Sequence, residues 1–327
     1  MTTSEILASA WEALAKEKYG FAGVYERRVF SESRFSIFAA ITRPSGRPLL
    51  LLQLVIPPAT LPKLDLRGMS LKPTESGNRL ALELTSDSFR EIFLAVAVDL
   101  VTHTLRARDE QAAVSTLAAR LDHWRRFLQA AGPEGLSRSQ QIGLFGELLV
   151  FRTLVARVPE RVALASWRGP TAENQDFFLA GRAIEVKTTS ANDPDRVRIT
   201  NERQLDGAGL VNLYLCHISV DLRENAGKSL PALIDDISAA LTEDGRPIFS
   251  DSLVSAGYLE SQRHLYLDTG YVERRRTYFA VGVNFPRITP AQLADGVAAV
   301  SYDLNLSACS AFRVTEQEST SVFAGGV

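Results

Sequence analysis

The residues of this chain best suited to chemistry are Asp176, Glu185 and Lys187. They lie in the stretch Asn174-Gln175-Asp176-Phe177-Phe178-Leu179-Ala180-Gly181-Arg182-Ala183-Ile184-Glu185-Val186-Lys187-Thr188-Thr189. Ala180-Gly181 is a small, flexible pair between apolar runs, the pattern of a hairpin turn. A two-residue loop there sets Asp176 directly opposite Glu185, with Cβ atoms about 4.5–5.5 Å apart on one face. A three-residue turn with a bulge would instead shift the register by one and move Asp176 out of opposition. Strand periodicity puts Lys187 on the face of Glu185 and turns Val186, with Ile184, the other way into a core. Paired carboxylates repel one another unless a cation stands between them, and hard oxygen ligands suit Mg²⁺, with Mn²⁺ as its substitute. A water held there and oriented or deprotonated by Lys187 could attack phosphorus, while the cation offsets charge on the phosphoryl and leaving oxygens.

Several elements must position these groups. A helix from about Ser139 to Val158, capped by Ser137 or Ser139, precedes the hairpin. Its Glu147 falls inside the apolar stripe, between the directions of Phe151 and Leu154, and a carboxylate there needs a partner. Arg168 or Arg182 would serve structurally. Gly143, one turn earlier, would let a backbone, a metal shell or a phosphate come close. The pattern then predicts a strand near Val162 to Ala165, the hairpin Asp176 to Thr189, a short helix near Asn201 to Leu205, a buried strand Leu210 to Val220 and a helix from about Pro231 to Leu241. That order is α-β-β-β-α-β-α. A helix near Ser250 and strands around Thr277 to Asn284 and Gly296 to Leu306 follow.

The break Gly132-Pro133-Glu134-Gly135 divides the chain into residues 1–132 and 133–327. The first part is a β-rich module with strands Arg34 to Thr42 and Leu49 to Ile56, punctuated by Pro44-Ser45-Gly46 and Pro57-Pro58. Two helices between Asp87 and about Ala131 complete it.

A length of 327 residues and a hydrophobic share of 46% support two such units, each with its own core. A net charge of -2 excludes a global basic field, so nucleic acid would have to meet a local patch. Cys216 and Cys309, far apart in apolar surroundings, point to buried thiols in a reducing compartment, the cytoplasm. The N-terminal stretch is amphipathic rather than a signal peptide, and no apolar run is long enough to span a membrane.

On these residues the chain resembles the restriction-endonuclease-like PD-(D/E)xK superfamily. It is more closely similar to a bacterial family within it that carries GLFGEL on a helix and EVKTT on a strand, here at Gly143 to Leu148 and Glu185 to Thr189. The likeness covers roughly Ser139 to Val220 and is weaker elsewhere. It implies an α/β fold, α+β overall, with an αβββαβ core. It also implies that Asp176 and Glu185 bind the metal with the Val186 carbonyl, that Lys187 serves the attacking water, that Glu147 is an assisting helix acid and that Gln204 is a supporting glutamine. The implied activity is Mg²⁺-dependent cleavage of DNA in defence against phage, alongside other defence proteins. Symmetric duplex cutting would call for a homodimer, although no heptad or interface stripe is visible. Gln175 stands where the motif's name has proline. A different reading is a catalytically silent or partner-activated subunit that holds DNA, which the near-neutral charge favours and the intact triad opposes.

Other features have plainer explanations. Gly227-Lys228-Ser229 lacks the spacing of a phosphate loop. His103, His123, His217 and His264 show no zinc spacing, and His123 fits a helix surface. No G-x-S-x-G elbow occurs. Arg274-Arg275-Arg276 fits an edge-strand guard better than a phosphate patch, whereas Arg196, Arg198 and Arg203 fit either role.

Overall fold

A computed structural model of the chain describes residues 1–53, 64–74, 78–169, 174–190, 195–224 and 226–324. Ile56 and Pro57-Pro58 lie outside them. The chain forms two compact units, Met1–Glu134 and Gly135–Val327.

In the first unit α1 (Thr3–Lys16) opens on a capping box in which Thr2 and Glu5 satisfy each other's backbone N–H groups. Six strands follow: β1 (Gly23–Val29), β2 (Ser36–Arg43), β3 (Pro48–Gln53), β4 (Leu64–Leu66), β5 (Met69–Pro73) and β6 (Arg79–Leu84). They form one antiparallel sheet in the order β1-β2-β3-β6-β5-β4. Two helices, α2 (Arg90–Arg106) and α3 (Glu110–Ala130), complete the unit. Trp11 of α1 packs on Phe93 of α2, with ring centroids 5.2 Å apart, and donates to the carbonyl of Leu49 at 3.0 Å. His123, expected on a helix surface, is buried edge-on to Trp124; its ring fills space beside a core aromatic.

The second unit begins with α4 (Arg138–Arg157), for which Ser137 and Gln140 make the capping box. After it come α5 (Glu160–Ser166), β7 (Phe177–Leu179), β8 (Arg182–Thr189), β9 (Arg196–Ile199), β10 (Asn212–Glu224), β11 (Lys228–Ser229), α6 (Leu230–Ala240), α7 (Gly245–Ser255), β12 (Thr269–Ala280), β13 (Tyr302–Asn305), β14 (Arg313–Val314) and α8 (Glu316–Ser321). The main sheet runs β11-β12-β10-β8-β7, with β14 also on β12; β8 and β10 are parallel and its other pairs antiparallel. β9 pairs with β13 in a separate ribbon.

Alternation along β8 sorts its side chains. Thr188 meets Gly146 of α4, so Ile184 and Val186 share the face toward that helix. Ala183, on the opposite face, joins a core with Val197, Leu205, Leu215, Phe279 and Leu304. A Cβ at Gly146 would overlap the Thr188 hydroxyl, whereas one at Gly143 would meet nothing within 4 Å. The close approach expected at Gly143 therefore belongs to Gly146. Gly146→Ala should lower the urea midpoint of this unit by an amount equivalent to about 1–3 kcal/mol. Gly143→Ala should leave it unchanged or raise it slightly; equal effects would remove the packing argument.

Two local expectations are corrected. Residues 162–165, expected as a strand, belong to α5: buried Val162, Ala163 and Ser166 recur with helical spacing, and a short apolar run does not separate the two states. Residues 201–205 form turns rather than a helix, because the Asn201 side chain accepts from Arg203 N at 2.8 Å and competes with helical bonding. β12 starts earlier than expected and contains Arg274, Arg275 and Arg276. On the side away from β10, β12 is paired only at Gly270 and Tyr271 by β11 and at Tyr278 and Phe279 by β14, so Arg274, Arg275 and Arg276 lie along an open stretch of edge among the described residues, where a guard would stand. Each is also ion-paired: Arg274 with Asp221, Arg275 with Asp195, and Arg276 with Glu273 and Glu316. Lys228 pairs with Asp236 and Ser229 caps α6, which accounts for Gly227-Lys228-Ser229 without a phosphate.

Candidate active site

The turn between β7 and β8 sets the site's register. Ala180 and Gly181 both have positive φ, 51° and 77°, as a two-residue turn matched to the twist of a hairpin requires. Phe177 pairs with Ile184, Phe178 with Ala183 and Leu179 with Arg182. The ladder ends at Phe177, one residue short of the expected pairing of Asp176 with Glu185. Asp176 stands just beyond the strand, where its Oδ2 accepts from Val186 N at 2.7 Å and its carbonyl accepts from the N–H groups of Arg168 and Gly169.

The helix delivers the second acid. Glu147 of α4 accepts from Trp167 Nε1 at 2.8 Å, so its partner is an indole and neither Arg168 nor Arg182. Gly169 lets the carboxylates share a small space: a Cβ there would lie 2.6 Å from Glu147 Oε2 and 3.2 Å from Asp176 Oδ1. Glu185 is 1% exposed. Its Oε1 is 2.7 Å from Lys187 Nζ, and its Oε2 has no hydrogen-bond partner among the described residues. Lys187 also donates to Gln204 Oε1 at 3.1 Å, and Thr200 fixes that oxygen through its backbone N–H and its hydroxyl.

The electrostatics follow from this crowding. Burial and then the Asp176 charge push Glu147 up to about 8, against the opposing pull of Trp167 and Lys187. Burial also raises Asp176, while the Val186 N–H and Lys187 hold it back. Glu185 is raised well above its ordinary range by burial and by Asp176, with Lys187 opposing. Three acids that resist ionisation around one lysine make a site in which added positive charge would be strongly favoured.

A family model described as "Putative PD-(D/E)XK family member, (DUF4420)" matches residues 7–307. The chain belongs to that family. No curated protein and no solved structure matches it. Membership in the DUF4420 family supports the restriction-endonuclease-like, nuclease-type fold, and PD-(D/E)XK proteins generally use divalent metals and act on DNA. No helix among the described residues is long and apolar enough to cross a membrane.

Among the described residues no three His, Cys, Asp or Glu side chains form a closed metal cage. Mg²⁺ needs none, since it keeps several waters and takes only one or two carboxylates. The buried Glu185 oxygen without a hydrogen bond, beside Asp176, fits it.

The structure thus brings Asp176, Glu185, Lys187, Glu147 and Gln204 to one place. Arg198 is held by Asp303 and Ser301 on the β9–β13 ribbon, away from this cluster of contacts. Sequence reasoning missed Trp167, Gly169 and Gln175. Gln175 donates from Nε2 to the carbonyls of Arg203 at 3.0 Å and Gln204 at 3.3 Å, so it anchors the turn that holds Lys187. Nothing in the sequence marked Gln175 beyond its place directly before Asp176; its burial is evident only in the fold. Treating residues 162–165 as a strand hid Trp167, which belongs to the end of a helix.

Proposed function

We propose that this chain is a Mg²⁺-dependent deoxyribonuclease in which Asp176 and Glu185 hold the ion and Lys187 serves the attacking water. The observation that carries the reading is the crowding of Glu147, Asp176 and Glu185 around Lys187, with a buried Glu185 oxygen lacking a hydrogen bond. When bound, the ion supplies Lewis-acid stabilisation of charge developing on phosphoryl oxygens. Lys187, an ammonium fixed between Glu185 and Gln204, donates a hydrogen bond that orients and polarises the attacking water. Glu147, pushed up to about 8, is largely protonated at neutral pH and can donate a hydrogen bond or a proton into the site. A residue's N–H and C=O leave a strand on the same edge, so the carbonyl of Val186 faces the side on which its N–H meets Asp176. That is the ground for counting it as a third ligand. Action on foreign DNA is part of the proposal and rests on the resemblance of the motifs.

The test is incubation of supercoiled plasmid and of single-stranded DNA with the full chain in Mg²⁺, Mn²⁺ or EDTA. Cutting with either metal and none in EDTA is the expected result. DNA binding without cutting under either metal would replace this reading with that of a silent, DNA-holding subunit.

A further inference from the structure

Beside Gln175, the residue before Asp176, lies a cavity of about 470 Å³ whose wall also includes Asn174, Phe178, Arg203, Asp206 and Leu210. We propose that it receives one unpaired nucleotide of the substrate strand, next to the bond that is cut, which makes single-stranded or locally opened DNA the preferred substrate class. The proposal rests on the nuclease reading for its place in the reaction, while the binding it predicts is measurable without cleavage.

The size falls in the usual range for small-molecule sites. The wall has the chemistry of a nucleotide rather than of an apolar ligand. Phe178 is half-buried, packed against the core behind it, and so presents a fixed aromatic surface for a base. Arg203 is exposed and makes no salt bridge among the described residues; the nearby Glu202 carboxylate, held below its ordinary range by backbone N–H groups and in part by Arg203, accepts from the Val300 N–H, so the guanidinium can still turn to a phosphate. Asp206 uses one carboxylate oxygen to accept from Ala208 N at 3.1 Å and has a second to accept from a base amino group. Asn174, exposed at the rim, adds an amide that can donate or accept.

The placement ties the cavity to the site. Gln175 and Phe178, which flank Asp176 in the chain, both line the cavity, and two residues of chain put Phe178 at most about 7 Å from Asp176. That is roughly one nucleotide step of an extended strand. The opposite wall is the turn at residues 201–205, which Gln175 holds by two hydrogen bonds and from which Gln204 reaches Lys187. A nucleotide seated there would lie against the turn that fixes Lys187. A base still paired and stacked in a duplex cannot enter such a recess, because its faces are covered by its neighbours.

The experiment is fluorescence anisotropy of the full wild-type chain in EDTA with a labelled single-stranded oligonucleotide, with the same sequence as a duplex, and with the variants Arg203→Ala and Phe178→Leu. Single strands should bind about tenfold more tightly than duplex, and each variant should weaken single-strand binding by about tenfold, with duplex binding and melting temperature unchanged. Phe178→Leu keeps the core filled while removing the ring, and Arg203 lies outside the core, so at least one variant reports on a folded chain. Equal affinity for both DNA forms, or single-strand binding unaffected by both variants, would overturn the proposal. Because this readout is binding without metal, it can fail while plasmid cutting succeeds, and it can succeed while cutting fails.

Discussion

Lys187→Ala should reduce metal-dependent DNA cleavage by about 10²–10⁴-fold while leaving DNA binding within a few-fold of wild type. Removing a charged group that positions and polarises the attacking water costs about that range. The structure gives reasons to expect a large effect rather than a marginal one. The ammonium is the one cation paired with Glu185 among the described residues, at 2.7 Å, and its own position is fixed by Gln204 at 3.1 Å. Its removal therefore takes away both the group beside the water and the charge that keeps Glu185 ionisable. Gln204→Ala should give a smaller loss, since Lys187 would keep Glu185 but lose its second restraint. Single-turnover cleavage of one labelled oligonucleotide separates the effects on chemistry and binding. An unchanged rate in Lys187→Ala would remove Lys187 from the reaction and with it the main basis for the proposed mechanism.

The site was more legible in the sequence than its surroundings because its geometry is set by local rules. A small pair in a hairpin turn fixes register, register fixes which residues face one another, and alternation adds Lys187 to Glu185. Glu147 was visible as a carboxylate inside an apolar stripe. What could not be read was the identity of its partner, since Trp167 reaches it through the fold rather than through helical spacing. The same limit explains the partners of the β12 arginines. Arg274, Arg275 and Arg276 meet Asp221, Asp195 and Glu316, all remote in sequence, and a run of three like charges does not encode those contacts. Residues 162–165 and 201–205 failed for a different reason: runs of four or five residues carry too few periods to separate helix from strand or helix from turn. Gly146 was overlooked in favour of Gly143 because both lie on one helix, and only the position of Thr188 distinguishes them.

The carboxylate cluster should also make the stability of the metal-free protein fall as pH rises, the reverse of the usual behaviour of acidic residues. Glu147, Asp176 and Glu185 are all raised in the folded chain, chiefly by burial. A carboxyl raised on folding binds its proton more tightly in the native state, so its contribution is complete below the ordinary value of 4.5 and is lost as pH passes through the folded value, about 8 for Glu147. Lys187, the cation facing all three, reduces the loss without cancelling it. Asp122, Glu160 and Glu202, which are lowered, work in the opposite sense only under acid conditions. Between about pH 6 and about pH 8.5 the melting temperature in EDTA should therefore drop, by an amount on the order of a few kcal/mol in stability. Mg²⁺ binds the ionised acids of the folded chain alone, so the stabilisation it confers should grow over the same interval, reaching about 2.7 kcal/mol at a hundredfold excess over its Kd. Glu185→Gln should flatten the profile in EDTA, be more stable than wild type at the alkaline end and gain little from Mg²⁺. A wild-type melting temperature that is independent of pH in EDTA and indifferent to Mg²⁺ would mean that the three acids are not the strained, cation-seeking group that their burial implies.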